Sequence, residues 1–148
     1  MGPITAMRLY FTRWLNFSAR ARRFEFFWYI LFHFSVMILV TWLFSATGND
    51  PMTLGLGELN AAGQVIAGLT AIYWLFSIVA TLSLMVRRVH DMGQTGWLVL
   101  GVHGLLLVPV LGALAFAGFW LWLSIGGGTA GTNAYGSDPR FQPDFAFD

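Results

Sequence analysis

Three long apolar stretches constrain the fold of this chain more than any other feature of its sequence. They span residues 26–46, 65–86 and 97–125, and none of them contains a charged residue. A helix of about 20 apolar residues crosses the roughly 30 Å hydrocarbon core of a bilayer. Because 57% of the 148 residues are hydrophobic, a soluble fold of this size would leave much apolar surface in water. The sequence therefore predicts an all-α integral membrane protein.

The first two stretches each have the length of one membrane crossing. Residues 26–46 form the predicted first span, an uncleaved signal anchor, since the apolar region is too long and begins too late for a secretory signal. Residues 65–86 form the predicted second span. The loop between them, residues 47–63, has two acidic residues and no basic one. The positive-inside rule places this loop outside the cytoplasm.

The third stretch, residues 97–125, has an intermediate length. One straight helix over it would measure about 43 Å, which is more than one crossing and less than two. Pro109 and Gly112 interrupt its middle, where a proline removes a backbone hydrogen bond and bends the helix. We predict one long third helix, kinked at Pro109. The alternative is a re-entrant hairpin of two short helices, which gives four membrane segments and places the C-terminus on the other side.

The two ends of the chain are predicted to lie outside the spans. Residues 4–18 combine aromatic and arginine side chains at near-helical spacing, which is typical of a helix in the membrane interface. A frayed terminus is the alternative there. The tail, residues 126–148, is rich in glycine and turn residues, so we expect no helix and predict that it packs on the protein surface. The whole chain, residues 1–148, is one predicted membrane domain.

Charged residues concentrate in two short segments. One segment, residues 20–25, precedes the first span, and the other, residues 87–91, follows the second. The predicted orientation puts the N-terminus in the cytoplasm and both segments at the cytoplasmic membrane surface. We therefore predict one charge cluster there, which consists of Arg20, Arg22, Arg23, Glu25, Arg87, Arg88, His90 and Asp91.

Two interpretations of this cluster carry most weight. Glu25 and Asp91 are its acids, and buried carboxylates pair with arginine, which binds them bidentately. The cluster is then a clamp that fastens the helices together. In the other interpretation, the remaining arginines hold an anion or a lipid headgroup. Catalysis by His90 and Asp91 is the weakest hypothesis, because adjacent side chains rarely point at a common proton.

Polar side chains also occur inside the predicted spans. Thr70, Ser77 and Thr81 fall on one face of the second span, and His33 and His103 lie at similar predicted depth in the first and third. Small hydroxyls at this spacing usually mark contacts between helices. The alternatives are a hydrophilic path and a histidine pair that relays protons. Two histidines without a nearby carboxylate make a poor metal site, so we predict no metal.

Motifs of the common enzyme classes are absent from the sequence. There is no cysteine for a disulfide or a thiolate site. There is also no serine-nucleophile, zinc-protease or paired-carboxylate pattern. The glycines at 126–128 follow no predicted strand and precede no lysine, so they do not form a nucleotide loop. We predict no cofactor and no nucleic-acid partner.

Three sequence blocks match one known pattern in the same order. Residues 20–27 are similar to Arg-Ala-Arg-Arg-Lys-Glu-Tyr-Trp, and residues 87–91 with 95–97 are similar to Arg-Arg-Leu-His-Asp and Ser-Gly-Trp. The third block is a tail motif, carried here by Gly128, Thr129, Gly131, Asn133, Tyr135, Gly136, Asp138 and Pro139. With these blocks the chain resembles a bacterial inner-membrane family described as domain of unknown function 805, the YhaH-like proteins.

The resemblance implies a location but no activity. It implies the bacterial inner membrane, and the family brings no established function. The chain departs from the pattern at Ala19, Phe24, Phe27 and Ala134. The last departure replaces an arginine and so removes a basic group from the tail.

The sequence predicts an inner-membrane protein with a cytoplasmic N-terminus and an arginine-rich cytoplasmic surface. We expect a non-enzymatic module that binds anionic lipid headgroups, another anion or a partner protein at that surface. The alternatives are a small transporter or channel subunit and, last, a membrane enzyme. Small residues such as Gly112 and Ala113 remain for helix packing, so we expect a homo-oligomer or a partner membrane protein.

Overall fold

The computed structural model is built from α-helices and describes residues 2–50, 52 and 56–141. The helices of the described residues are α1 (Pro3–Thr12), α2 (Arg23–Ala46), α3 (Ala61–Asp91), α4 (Trp97–Leu105) and α5 (Pro109–Ile125). A 3-10 turn covers Leu56–Glu58. No β-strand occurs within these described ranges, so the predicted all-α class is confirmed. The end of the predicted tail, residues 142–148, lies outside the described residues, as does Pro51 in the loop.

Two of the described helices, α2 and α3, are long and apolar enough to cross a membrane. They have 24 and 31 residues. The most apolar 18-residue window of each helix has a mean hydropathy of 1.9 in α2 and 2.0 in α3. Only 11% of each window is buried inside the protein, whereas the core helix of a soluble protein would be mostly buried. The apolar side chains of both helices therefore face outward, as lipid-exposed side chains do.

Helix α3 is longer than the predicted second span. It continues past Val86 to Asp91, so Arg87 and Arg88 lie in its last turns. Cationic side chains are favourable at a helix C-terminus, where the helix dipole is negative. The turn after it contains Gly93 at φ 73°, a conformation that favours glycine. The chain then enters α4 at Trp97.

Residues 97–125 form two helices, so the predicted single kinked helix is wrong. Helix α4 ends at Leu105, and α5 begins at Pro109, where a proline is suited to the first turn because no amide partner is needed. The rings of His103 and Phe116 are in contact, with centroids 5.2 Å apart. Thirteen residues of one straight helix would separate them by about 20 Å. The chain therefore folds back between α4 and α5, as in the alternative hairpin.

The far end of this helical hairpin returns to the end of α3. Arg88 donates through Nε to the carbonyl oxygen of Leu123, at 2.9 Å, and through Nη2 to that of Gly126. These carbonyls at the end of α5 have no partner within the helix, so the guanidinium satisfies them. At the turn of the hairpin, Gly112 lies against the backbone of Leu105 and Leu106.

The described chain divides into two units. The first contains the residues up to Tyr29 and from Val79 onward, and the second is Ile30–Ile78. All eight arginines belong to the first unit. In that unit the N-terminal segment is tied to α3, because the Ser83 hydroxyl donates to the carbonyls of Arg13 (3.1 Å) and Asn16 (2.7 Å). The helix in the predicted 4–18 segment is shorter, ending at Thr12.

In the second unit, a pair of asparagines connects the two ends of the loop between α2 and α3. Asn49 donates to Asn60 Oδ1 at 3.0 Å, and Asn49 Oδ1 accepts from the Asn60 amide at 3.0 Å. Asn60 Oδ1 also accepts from the amide of Gly63, which caps the start of α3. A Cβ at Gly63 would lie 2.7 Å from the Asn49 side chain, so this approach requires glycine.

The hairpin predicts different responses of two glycines in α5. A Cβ added at Gly112 would lie 2.6 Å from Leu106 Cα and would overlap the Leu105 carbonyl. A Cβ added at Gly118 would meet no neighbouring atom within 4 Å. We expect Gly112→Ala to lower the free energy of unfolding by about 1–3 kcal/mol because backbone must move. Gly118→Ala is the matched control and should be neutral. Denaturant unfolding in detergent, followed by circular dichroism, measures both; equal stability of the variants would contradict the hairpin.

Candidate functional site

A buried ion pair joins α2 to α3 within the first unit. Arg87 Nη1 lies 2.5 Å from Glu25 Oε1, and the two side chains are 0% and 3% exposed. The carbonyl of Arg87 also accepts from the amide of Ala21, at 3.0 Å. Nε and Nη2 of Arg87 have no partner in the described part of the chain. Glu25 is thus the group that compensates this buried charge.

Asp91, the last residue of α3, is shared by two arginines. Its Oδ1 accepts from Arg20, with Nη2 at 2.9 Å and Nε at 3.0 Å, and its Oδ2 accepts from Arg88 Nη1 at 2.9 Å. All three side chains are buried. Two guanidinium groups and one carboxylate leave this trio with one net positive charge. We call the trio and the Arg87–Glu25 pair the clamp.

Arg20 also holds the tail. It donates to the carbonyl oxygens of Thr129 (2.7 Å), Gly131 (2.6 Å) and Gly136 (3.2 Å). With Asp91 on its remaining side, the planar guanidinium uses all of its donor directions. The Asp91 carbonyl in turn accepts from the Thr129 amide (2.8 Å) and hydroxyl (3.0 Å). The tail motif therefore packs onto the end of α3 through its backbone.

The glycine that begins the tail motif lies directly on the clamp. A Cβ added at Gly128 would overlap Oδ2 of Asp91 and lie 2.7 Å from its Cγ. A Cβ added at Gly127 would meet no neighbouring atom within 4 Å. Only a residue without a side chain lets the tail reach this carboxylate.

A second ion pair stabilises the far end of the tail motif. Asp138 accepts from the amides of Gly131 (3.1 Å) and Arg140 (2.9 Å) and from the Arg140 side chain (Nε, 2.9 Å). The Arg140 guanidinium holds the pKa of Asp138 well below the usual carboxylate range. A depressed pKa gives stabilisation that is present above the unfolded-state pKa and is lost as the pH falls through the folded-state value. This turn should therefore persist in mild acid.

His90 is stacked on the tail instead of paired with its neighbour. Its ring lies 3.7 Å from that of Tyr135, with 5° between the planes, and its carbonyl accepts from Asn133 Nδ2 at 2.9 Å. Both oxygens of Asp91 are taken by arginines. The structure therefore does not form the His90–Asp91 couple that a catalytic interpretation needs.

An open pocket of about 330 Å³ lies beside the clamp. Arg22 donates to the carbonyl of Pro139 on its wall. Arg23 is exposed, with its guanidinium carbon 5.2 Å from the centre of the Phe24 ring. The side chain of Arg140 is 53% exposed. We call this cavity the basic pocket; its lining is Arg22, Arg23, Phe24, Asp91, Gly127, Gly128, Pro139 and Arg140.

Three of the polar residues predicted inside the spans have hydrogen-bond partners in the structure. Thr81 Oγ1 lies 2.8 Å from the hydroxyl of Tyr29. His33 Nδ1 lies 3.0 Å from the hydroxyl of Tyr73, and His103 Nδ1 lies 2.7 Å from the carbonyl of Val99. The contacts of Thr81 and His33 join α2 to α3, which is typical of helix packing, whereas that of His103 lies within α4.

The members of the polar stripe and the histidine pair are divided between the units. Ser77 is buried and Thr70 half-buried, and both belong to the second unit with His33. Thr81 and His103 belong to the first.

Sequence reasoning missed the groups that hold the tail. The tail carbonyls that accept hydrogen bonds from Arg20 cannot be recognised in a sequence, because every residue carries a carbonyl. The role of Arg140 was missed as well, although its position two residues after Asp138 is a usable signal: a short turn brings such side chains together.

Comparison with known proteins identifies a family and relatives of similar length. Residues 14–137 match the family model described as protein of unknown function (DUF805). The chain is 31% identical over 129 residues to the inner membrane protein YhaI of Escherichia coli K12. The matched region covers 86% of this chain and 89% of that protein. The YhaI protein of Escherichia coli O157:H7 matches with the same values. No solved structure matches the chain.

The buried pair predicts a large loss when one partner is removed. Glu25→Leu leaves Arg87 buried without a carboxylate, so we expect the free energy of unfolding to fall by about 3–5 kcal/mol. The double variant Glu25→Leu/Arg87→Leu should recover most of the loss, since replacing both charges by apolar groups is often neutral. Glu58→Leu, at an exposed glutamate, is the control. A double variant as unstable as the single one would contradict this role.

The contact of the tail with Asp91 predicts a difference between neighbouring glycines. Gly128→Ala should displace the tail and lower the free energy of unfolding by about 1–3 kcal/mol, because the added methyl group overlaps the carboxylate. Gly127→Ala should not. Limited trypsin cleavage after Arg140 reports the displacement and should be faster in Gly128→Ala alone. Equal cleavage rates would show that the tail does not depend on this contact.

Proposed function

This chain belongs to the DUF805 family of proteins of unknown function, and we propose that it is an inner-membrane protein whose basic pocket binds an anionic lipid headgroup. The observation that carries the proposal is the basic pocket itself, which arginines line from two segments far apart in the sequence. The inner-membrane location is supported by the name of the relative from Escherichia coli and by the apolar helices.

The position of the basic pocket along α2 suits a headgroup. Arg23 and Phe24 line the pocket and are the first two residues of α2, one of the helices long enough to cross a bilayer. A group at the end of such a helix lies where the hydrocarbon core meets the headgroups. Phospholipid headgroups would therefore reach this pocket without leaving the membrane surface.

The distribution of charge supports a cytoplasmic position for the basic pocket. All eight arginines lie in the first unit, while the loop that joins α2 to α3 in the second unit has Asp50 and Glu58 and no basic residue. Basic residues are retained on the cytoplasmic side of bacterial membrane proteins. The proposed orientation places the N-terminus and the basic pocket in the cytoplasm.

The local charge balance supports an anionic ligand. Asp91 lines the basic pocket, but Arg20 and Arg88 already overcompensate its charge. Arg140 is balanced by Asp138. Arg23 pairs with no carboxylate among the described residues. A partly buried excess of positive charge favours a bound anion.

Loss of the exposed arginine should weaken lipid binding. We expect Arg23→Gln to reduce the affinity for short-chain anionic phospholipids by roughly fivefold, since each arginine near such a headgroup contributes about 1 kcal/mol. Arg13→Gln removes a charge from the same unit outside the pocket and is the control. Isothermal titration calorimetry on the full chain in detergent measures both. Equal affinities of the two variants, or no binding by the parent protein, would reject the proposal.

A further inference from the structure

We infer that the group bound in the basic pocket is a terminal phosphate, that is, a phosphomonoester, in preference to the phosphodiester of most phospholipids. This inference rests on the proposed function and narrows its ligand. Three observations carry it: the segments that bring donors to the lining of the pocket, the charge in and behind its walls, and the chemistry of its lining.

Three separate segments that carry hydrogen-bond donors line the basic pocket. Arg23 comes from the start of α2, Arg140 from the tail, and Gly127 and Gly128 from the stretch after α5. Within the described ranges, the backbone N–H groups of these two glycines have no acceptor. A terminal phosphate has three free oxygens, one for each of these segments, whereas a phosphodiester has two. Backbone amides and arginine side chains are the usual ligands of phosphate.

The net charge of the described residues that line the pocket, taken with the partners of Asp91 and Arg140 behind them, matches a dianion. The trio of Arg20, Asp91 and Arg88 contributes one positive charge, and Arg23 contributes another. Arg140 and Asp138 cancel each other. Even without Arg22, whose guanidinium is engaged at Pro139, these described residues together carry two positive charges. A phosphomonoester carries about −1.5 to −2 at neutral pH, whereas a phosphodiester carries only one negative charge.

The walls also disfavour the common zwitterionic headgroups. Choline or ethanolamine would bring an ammonium group among Arg22, Arg23 and Arg140. The carboxylate among the described lining residues, Asp91, already binds two arginines. Like charges enclosed in one pocket repel. At about 330 Å³ the pocket has room for a phosphate with part of a glycerol, and Phe24 offers an apolar wall to the rest of the lipid.

The same chemistry is found in a lipid with a terminal phosphate and in soluble phosphate esters, so the experiment separates them. Short-chain phosphatidic acid, short-chain phosphatidylglycerol and glycerol 3-phosphate are each titrated into the full chain in detergent. We expect phosphatidic acid to bind about fivefold more tightly than phosphatidylglycerol, because it meets the second positive charge. Arg23→Gln should reduce this ratio towards one, while Arg13→Gln should leave it unchanged. Arg23 is exposed, so the variant should fold, and circular dichroism checks this.

Each outcome bears on a different claim. Equal affinity for the two lipids in the parent protein would overturn the phosphomonoester inference and leave the proposed headgroup site standing. A ratio that Arg23→Gln does not change would also overturn the inference, since the preference would then arise elsewhere. Glycerol 3-phosphate binding as tightly as phosphatidic acid would support the terminal phosphate but reject a lipid as its source. Binding of none of the three would reject both proposals.

Discussion

The sharing of one carboxylate by two arginines is the interaction on which the first unit depends. Asp91 receives Arg20 on one oxygen and Arg88 on the other, and these arginines extend to the tail and to the end of α5. A single acidic residue thus orients the guanidinium groups that fix the segment before α2, the helical hairpin and the tail. Removing it would leave two buried cations without a counter-charge, which is among the most costly changes in a protein interior.

Backbone carbonyls, in place of further carboxylates, accept most of the hydrogen bonds that Arg20 and Arg88 donate. Arg20 and Arg88 together donate to five of them, at Thr129, Gly131, Gly136, Leu123 and Gly126. Carbonyls satisfy guanidinium donors without adding negative charge, so the clamp remains positive. This remaining positive charge, in a region with many buried hydrogen bonds, is compatible with the anion site that we propose in the basic pocket.

The sequence predicts those parts of this architecture that depend on local composition. The helices α2 and α3 follow from uncharged stretches of sufficient length, and the residues of the clamp stand out because charge is rare in the chain. The hairpin was not predicted as the first choice, because the length of residues 97–125 fits two models and only a contact such as that of His103 with Phe116 separates them. The docking of the tail depends on carbonyl groups and on space for Gly128, neither of which is visible in a sequence.

The distance along the chain between Arg20 and its tail acceptors has a consequence for biosynthesis. The residues that hold this guanidinium lie 109 to 116 positions later, at Thr129, Gly131 and Gly136. During translation the arginine emerges long before they exist, and long-range contacts of this kind form late. The contacts of Arg20 with the tail can therefore form only after α2 to α5 have been made. A chain interrupted before residue 129 would keep its apolar helices but would leave the Arg20 guanidinium without the three tail carbonyls that it binds.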